Sequence, residues 1–474
     1  MGSGLEDCPN EVVESTTVLL DLKDICTLRL VSRTLASAAT QNHFKSYFRS
    51  KRVELTEAAL QAFVEVTRCG RLGCAVQNLT LVGIARQSDL EASDEAKRSD
   101  HQLELHVKLL SQALTSIKAS NGSGRLSSLF LEIAVILADG ERILPDAAHE
   151  DCWRVVWQST ADTSRTVLRS LGASKLRIQS LNTFNGCQMQ RCSLACDKLS
   201  STDLKPEELS ESFAGLTTLS LSLSNRIIED VPFHGTDWSP RDKTPAIHEA
   251  EAKAADEHNF DGLEQLLQLS TQLMSLEMHY YRLDCTPHLF KHSKHHERLV
   301  QRLAKTDGFP RLMQCRLRGL HARDEDLLRL IQQTAARDLS LENITLTAGN
   351  FDAIFEHCTS EAAGIERLYI DDLFAEQKLL WWDPCGVQKL LYFDGVGSIG
   401  KPHVPLNQRA GRTRSSNTLK RAGAEISQNM SYHYHEGGPT MDTAQTRKWR
   451  HDRYREYGWG QVQPPFLRNP LAYR

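Results

Sequence analysis

Three histidines in the stretch PHLFKHSKHH stand four residues apart: His288, His292 and His296, with His295 beside the last of them. Side chains at this spacing share one face of a helix, and imidazoles placed in this way can ligate zinc. The glutamate of an HExxH zinc site is missing, and no carboxylate or thiolate stands at a characteristic spacing. We therefore expect a polar helix here and no metal.

Cysteine spacing gives a second candidate for metal chemistry. Cys187, Cys192 and Cys196 are close in sequence, but they are only three and have no matching pair. The chain has 12 cysteines without paired spacing. Without an export signal they are expected to be reduced thiols, mostly small core residues.

Motifs of enzyme chemistry are weak throughout the sequence. GVGSIG at 395–400 matches GxGxxG, but Pro402 and Pro405 follow where a dinucleotide site needs a helix. No GxSxG elbow occurs, and no complete phosphate-binding loop of the form GxxxxGKS or GxxxxGKT occurs. We therefore expect no enzyme activity and no cofactor.

The composition is that of a folded protein, with 40% hydrophobic residues, 24% charged residues and a net charge of -4 over 474 residues. No apolar run is long enough for a membrane span, and no basic stretch followed by an apolar one opens the chain. These features predict a cytoplasmic or nuclear protein without a membrane partner.

Charge is unevenly distributed along the chain. Residues 401–474 have 13 Lys+Arg against 5 Asp+Glu, which is +8, so the first 400 residues have -12 to give the total of -4. This segment has no apolar periodicity, and we expect a flexible, low-complexity basic tail. Its arginines alternate with Trp449, Tyr454, Tyr457 and Trp459, a mixture that can bind RNA. A short helix packed on the body or a solvated tail explains the mixture better, so nucleic-acid binding is not expected.

A short apolar-x-apolar pattern recurs through the region that precedes this tail. The copies are Val53-Glu54-Leu55, Leu79-Thr80-Leu81, Leu129-Phe130-Leu131, Leu176-Arg177-Ile178, Leu219-Ser220-Leu221, Leu276-Glu277-Met278, Arg316-Leu317, Leu339-Ser340-Leu341, Leu368-Tyr369-Ile370 and Leu391-Tyr392-Phe393. Central positions 317, 341, 370 and 393 are 24, 29 and 23 residues apart, a spacing typical of leucine-rich repeats. Helical patterns lie between the copies, as in the Leu327–Ile331 stretch.

A strand and a helix in each unit cannot bury their apolar faces alone, so neighbouring units must stack. The sequence thus predicts an α/β solenoid of short parallel strands and helices over 51–400, an irregular leucine-rich-repeat-like domain. Residues between the apolar anchors would face outward and bind a protein target. On the tighter repeats these are Arg316, Arg318, Ser340, Glu342, Tyr369 and Asp371.

The first 50 residues predict a separate head of three short helices. Pro9 suits a helix start, Asp24 is a candidate N-cap for the second helix, and Ser32 is one for the third. About forty residues in three helices bury too little surface to be stable alone. The apolar faces must therefore be covered by the rest of the chain or by another protein.

Three motifs of this head resemble an F-box: Pro9-Asn10-Glu11, the turn Asp21–Asp24, and Leu28-Arg29-Leu30-Val31-Ser32-Arg33. The resemblance covers residues 8–39. This segment is similar to the F-box of proteins that are common in filamentous fungi. Cys8 stands where a leucine is usual and Thr16 where an isoleucine is usual. The Thr16 hydroxyl could bond back to the carbonyl of Val12, which would reduce the cost of burying it.

The resemblance implies binding to the Skp adaptor, which links a substrate receptor to a cullin ubiquitin ligase. The residues it assigns to adaptor binding are Pro9, Val12, Val13, Leu19, Leu20, Leu28 and Val31. The leading interpretation is therefore a substrate-recognition subunit with an F-box at 1–50, a target-binding domain at 51–400 and a basic tail at 401–474. The alternative is a leucine-rich-repeat binding module that acts without cullin or ubiquitin.

Overall fold

A computed structural model describes residues 5–68, 75–86, 95–120, 123–137, 139–143, 153–185, 192–199, 206–224, 249, 252–253, 255–281, 294–306, 308–375, 378–382 and 418–434. The chain forms two compact units: residues 1–184 with 205–216, and residues 185–204 with 217–474. The predicted head lies in the first unit, and the predicted range 51–400 contributes to both.

The head, residues 5–49, contains four helices: α1 Asn10–Thr17, α2 Leu22–Val31, α3 Arg33–Ala38 and α4 Asn42–Ser46. Three helices were expected. The fourth, α4, buries Phe44 against Ile25 and Ala39, and Phe44 is only 1% exposed. Ser32 caps α3 as predicted, since its Oγ accepts the backbone N–H of Leu35 at 3.2 Å.

The cap of α2 lies three residues earlier than predicted. Asp21 Oδ1 accepts the backbone N–H of Asp24 at 2.8 Å, so Asp21 is the N-cap and Asp24 belongs to the first turn. An Asp side chain at the N-cap accepts the backbone N–H two or three residues later. Both Asp21 and Asp24 stand just before the apolar residues of α2, so the sequence alone did not distinguish them. Pro9 precedes α1 as its N-cap residue.

The first unit contains the strands β1 Ser50–Glu54, β2 Asn78–Arg86, β3 Arg125–Leu126, β4 Ser128–Ile136, β5 Arg142–Ile143, β6 Arg177–Ile178 and β7 Ser180–Thr183. β1, β2, β4 and β7 are neighbours in this order and run parallel. Leu79, Leu129 and Leu181 are in register, and all three are at most 1% exposed. β5 returns antiparallel on β4.

One predicted repeat strand is shifted in register. Leu176-Arg177-Ile178 was expected beside Leu129-Phe130-Leu131, but Leu181 and Thr183 pair there instead. β6 pairs with β3 in a separate two-stranded sheet. The stretch LRIQSL offers two overlapping apolar patterns, so the sequence alone could not select the one in the main sheet.

The helices of the first unit are α5 Glu57–Arg68, α6 Glu95–Ser120, α7 Trp153–Ser174 and α8 Pro206–Phe213. α6 is the longest of the four, with 26 residues from Glu95 to Ser120. α7 packs on β2 so closely that a Cβ at Gly83 would lie 1.9 Å from Thr163 Oγ1. The glycine in this strand is therefore required by helix packing.

The second unit contains β8 Leu194–Ala195, β9 Thr218–Ser224, β10 Ser275–Tyr281, β11 Gln314–Arg318, β12 His321–Arg323, β13 Asp338–Ala348, β14 Arg367–Ala375, β15 Lys378–Trp382, β16 Thr418–Ala422 and β17 Tyr432–Tyr434. β9, β10, β11, β13 and β14 are adjacent in this order and parallel. β8 joins β9, and β12 joins β13.

The apolar anchors of these strands form two buried rows across the sheet. Each member is at most 2% exposed: Leu219, Leu276, Cys315, Leu339 and Leu368, then Leu221, Met278, Leu317, Leu341 and Ile370. The predicted repeat strands in this unit are therefore aligned in register. The last predicted copy, at 391–396, lies outside the described residues.

Helices α9 Asp261–Leu269, α10 Arg298–Lys305, α11 Asp324–Thr334 and α12 Asp352–Thr359 alternate with these strands. Each buries a stripe of apolar residues, such as Leu327, Leu330 and Ile331 of α11. Short 3-10 helices occur at Leu5–Asp7, Cys196–Leu199, Glu257–Phe260, Lys294–Glu297, Glu361–Ala363 and Gly423–Glu425. The α/β class predicted from the sequence is confirmed in each unit.

Three neighbouring strands share a left-handed residue at one register position. Arg318, Glu342 and Asp371 are paired, and each is followed by a residue with positive φ: Gly319 at 69°, Asn343 at 51° and Asp372 at 50°. Glycine adopts this conformation without cost, and Asn and Asp tolerate it best among the other residues. The kink is therefore a repeated feature of the strands.

Part of the predicted C-terminal tail belongs to the fold. β16 pairs antiparallel with β14 over Asp371 to Arg367, and β17 pairs antiparallel with β15. The expectation of a flexible segment is thus wrong for 418–434, because the edge of β14 presents backbone groups that this segment satisfies. Ile426 is 6% exposed, and Arg421 donates to the carbonyls of Gln428 and Asn429.

Among the helices of the described ranges, none combines the length and the apolar character required to cross a membrane.

Candidate functional site

The head retains an interior of its own. Val13, Leu35 and Ala38 form one buried cluster, and Cys8 and Leu28 pack against it. A second cluster contains Ile25, Ala39 and Phe44, with Leu20 and Leu28 at its margin. Val13 is 1% exposed, so this predicted adaptor-binding residue supports the head from inside.

The other predicted adaptor-binding residues lie nearer the surface. Pro9 and Val12 are exposed, Leu20 and Leu28 are partly buried, and Leu19 and Val31 are 85% and 67% exposed. The predicted set thus contains an interior part and an outer part. The outer part is the one that a partner can contact.

Exposed apolar side chains are concentrated in the head. Eleven large hydrophobic residues are exposed in the part of the chain that the structure describes, and seven lie between Leu5 and Tyr47. We define the apolar head surface by the five of these on α1, α2 and their connection: Val12, Val18, Leu19, Leu30 and Val31. Single exposed apolar residues are ordinary, but this concentration in one small subdomain is typical of an interaction site.

Thr16, the first departure from the F-box pattern, is bonded as predicted. Its hydroxyl donates to the carbonyl of Val12 at 2.9 Å, and the side chain is partly buried. The hydroxyl is therefore satisfied within α1, and its cost to a covered surface is reduced. Cys8, the second departure, packs on the Val13 cluster.

On the second unit, the predicted target-binding residues form two rows on the polar side of the strands. Arg316, Ser340 and Tyr369 are in register, and Arg318, Glu342 and Asp371 are in register one step further along. The structure therefore brings all six together on neighbouring strands. They differ in exposure, because Glu342 and Asp371 are only 3% and 7% exposed.

Glu342 is the centre of an ion-pair cluster. Arg316 donates from Nε to Glu342 Oε1 at 2.6 Å and from Nη2 to Oε2 at 3.1 Å. Arg318 forms an ion pair with Glu342, with its Nε 3.0 Å from Oε2. Ser340 Oγ donates to Oε1 at 2.8 Å. Burial by itself would raise the pKa of Glu342, but the hydrogen bond from Arg316 and the nearby positive charges lower it.

The cluster continues across β10 and β9. Arg316 Nη1 donates to Glu277 at 3.2 Å, Ser220 donates to Glu277 at 3.2 Å, and Asn185 donates to Ser220 at 2.8 Å. We call the set Asn185, Ser220, Glu277, Arg316, Arg318, Ser340 and Glu342 the polar ladder. Its charges neutralise each other, so much of its bonding capacity is directed within the protein.

Tyr369 and Asp371 contact the C-terminal strand β16. The ammonium group of Lys420 lies 5.0 Å from the centre of the Tyr369 ring, and Thr418 donates to Asp371 at 2.7 Å. Sequence reasoning missed Lys420 and Thr418 because they lie beyond the recognised repeats. It also missed Glu277, although the rule that identified Arg316 selects it from Leu276-Glu277-Met278.

His279 lies in the second row, between Ser222 of β9 and Arg318 of β11. It is 2% exposed, and its ring centre lies 3.9 Å from that of Tyr281. Burial, followed by the charges of Arg318 and Arg316, lowers the pKa of His279 well below the usual value. The ring is therefore neutral at physiological pH.

The metal candidates of the sequence do not assemble in the described part of the chain. His288, His292 and Cys187 lie outside the described residues, as does the GVGSIG stretch. His296 is 4% exposed, with its ring centre 5.6 Å from that of His321. The described residues contain no group of three or more His, Cys, Asp or Glu side chains placed to hold a metal ion.

Six cysteines fall in the described ranges, all of them free, and four of these are buried: Cys192, Cys196, Cys315 and Cys358. Burial raises the pKa of Cys315 and of Cys358 to about 12. Both thiols are protonated at neutral pH and are poor nucleophiles.

The chain matches no protein-family model, and no curated protein is similar enough to it to count as a relative.

Proposed function

We propose that the chain is the substrate-recognition subunit of a Skp–cullin–F-box ubiquitin ligase. Its head would bind the Skp adaptor, and its strand-and-helix repeats would hold a protein target. The protein performs no bond chemistry in this role. It raises the effective concentration of target lysines near the ligase's charged conjugating enzyme.

The observation that carries this proposal is the apolar head surface. Leu19 and Leu30 are 85% and 87% exposed in a head that resembles an F-box in sequence. Burying one such side chain on a partner contributes about 1.5–3 kcal/mol. Several of them together supply the free energy that a specific interface needs.

The repeat arrangement supports the second half of the proposal. The parallel strands of the second unit are in register over β9 to β14, as stacked repeats require. We propose that they belong to an irregular leucine-rich-repeat-like solenoid that presents its surface to the target. Cytoplasmic or nuclear residence follows from this role.

Affinity capture from cells tests this function. We expect wild type to recover the Skp adaptor and a cullin, and Leu19→Asp combined with Val31→Asp to lose both. Val66→Asp is the matched control, because Val66 is also an exposed apolar residue of a helix, at 39%. Recovery of both proteins by the double variant would refute the proposal.

A binding module without ubiquitin chemistry is the second candidate. Thr16 supports it, since its hydroxyl makes the α1 surface less apolar than the isoleucine usual in the F-box pattern. Under this alternative, the capture recovers the adaptor without cullin, or neither of the two.

A further inference from the structure

A groove crosses the second unit where its parallel strands begin. It runs over the starts of β9, β10, β11, β13 and β14 and has a volume of about 220 Å³. Pockets for small molecules usually measure about 300–1,000 Å³. The groove is therefore of a size for one or two side chains of a partner.

Two methionines line the groove with apolar side chains. Met274 and Met313 stand at equivalent positions, directly before β10 and β11, and each is 49% exposed. They are adjacent, since the backbone N–H of Met313 donates to the carbonyl of Met274 at 2.7 Å. Unbranched thioether side chains adapt to partners of different shape, so the pair suits an apolar anchor residue.

The backbone along the groove is engaged within the sheet. The N–H groups of Met274 and Ser275 donate to Thr217, and those of Met313 and Gln314 donate to Met274. The row continues to β14, where the N–H group of Arg367 donates to Arg337. A partner therefore binds here through side chains, and addition of a partner strand at this row is not favoured.

Two exposed ion pairs lie at the β13–β14 end of the groove. Arg367 lies 2.9 Å from Asp338, and Arg337 lies 3.3 Å from Glu366. In the first pair the arginine side chain is 70% exposed and the aspartate 23%, so the guanidinium is what a partner meets. Exposed ion pairs are weak because water screens them, so a partner carboxylate can share or replace Asp338.

We propose that this groove binds an extended segment of the protein target. A large apolar side chain of the segment rests on Met274 and Met313, and an Asp or Glu near it contacts Arg367. The inference rests on the proposed function in that the ligand is the target. It assigns the target contact to the strand starts, whereas the polar ladder is largely bonded within the protein.

Selection from a phage-displayed library of random peptides on the full chain tests the proposal. We expect the enriched peptides to share a large apolar residue with Asp or Glu a few positions away. An enriched peptide, made synthetically, should lose at least about tenfold in affinity for Met313→Glu and for Arg367→Glu. Met313→Leu should retain binding, and Val66→Glu is the control for an added charge outside the groove.

Enrichment of basic peptides would overturn the proposal, as would peptides that bind Met313→Glu as well as wild type, or no enrichment above background. Adaptor binding by wild type and by the groove variants separates the two proposals. Adaptor binding by wild type with no peptide binding at the groove refutes this inference alone. Peptide binding to the groove without any adaptor binding refutes the proposed function.

Discussion

Glu342 illustrates how a residue that faces a polar surface can be structural. Arg316 and Ser340 donate hydrogen bonds to it, Arg318 forms an ion pair with it, and it is only 3% exposed. A carboxylate with so many partners has little capacity left for a ligand. Its role is to hold β11 against β13 by balancing the charges of Arg316 and Arg318.

Glu342→Gln should lower the free energy of unfolding by about 2–3 kcal/mol, since it leaves two arginines without their shared counter-charge. This loss lies at or just below the lower limit of the roughly 3–5 kcal/mol typical of broken buried pairs, because Arg316 is 39% exposed. Chemical denaturation of the full chain measures the loss. Glu366→Gln is the control, since both partners of its pair are more than half exposed and its loss should stay below about 1 kcal/mol. Equal losses in the two variants would contradict this account.

His279 should make stability depend on mildly acidic pH. Its pKa is lowered in the folded chain, so below its usual value of 6.5 the unfolded chain binds a proton that the folded chain does not. Stability therefore decreases as pH falls below about 6.5. His279→Gln should flatten the curve between about pH 6.5 and 5 relative to wild type.

His258 provides a control, because its contribution to stability changes with pH in the opposite direction to that of His279. Its hydrogen bond to Asp256 raises the pKa of His258, so its contribution is present at low pH and is lost as pH rises. The ring is 75% exposed, so its contribution should be small. Parallel pH curves for wild type and His279→Gln would refute the prediction for His279.

The sequence predicts which residues face the polar side of the strands, but not how they pair. Alternation within Leu339-Ser340-Leu341 places Ser340 opposite the apolar anchors. The pairing of Arg316 with Glu342 depends on the register between two strands that are separated by α11. Such long-range register is set by packing, and one chain does not reveal it.

At the scale of the elements, the residues with positive φ that follow Arg318, Glu342 and Asp371 limit which side chains the strands accept. Asn343→Val should cost about 1–2 kcal/mol more stability than Asn343→Gly, because a branched side chain clashes with the carbonyl at positive φ. Both changes remove the Asn343 amide group, so the loss of that group does not contribute to their difference. Denaturant titration of the two variants measures it, and equal midpoints would refute the backbone explanation.

Residues 418–434 should protect the edge of the second unit's sheet. A chain that ends at residue 417 leaves the edges of β14 and β15 unpaired, and it uncovers Trp382, which Tyr432 contacts. We expect a lower unfolding temperature and self-association in light scattering. A chain that ends at residue 434 retains the strands and should remain monodisperse. Equal behaviour of the two chains would show that the edge needs no protection.

The sequence predicts the repeat strands of the second unit well and their C-terminal neighbour poorly. Leu339-Ser340-Leu341 and Leu368-Tyr369-Ile370 follow the anchor pattern, so their pairing is foreseeable. Thr418–Ala422 contains one large apolar residue, Leu419, and gives no periodic signal. Its strand state comes from the edge of β14, which is a tertiary cause.

At the scale of the molecule, the two proposed contacts belong to different units. The apolar head surface lies in the first unit, and the groove lined by Met274 and Met313 lies in the second. Each can therefore be altered without changing the other. A receptor that brings a target to a ligase needs two distinct binding surfaces, because the two partners must be bound at the same time.

The central claim is that the apolar head surface binds the Skp adaptor. Titration calorimetry of the purified chain with purified adaptor tests it most directly. The account predicts one-to-one binding that Leu19→Asp with Val31→Asp weakens at least about a hundredfold, the equivalent of about 2.7 kcal/mol, while Val66→Asp leaves it unchanged. No heat of binding with wild type, or equal affinity in the double variant, would contradict the account.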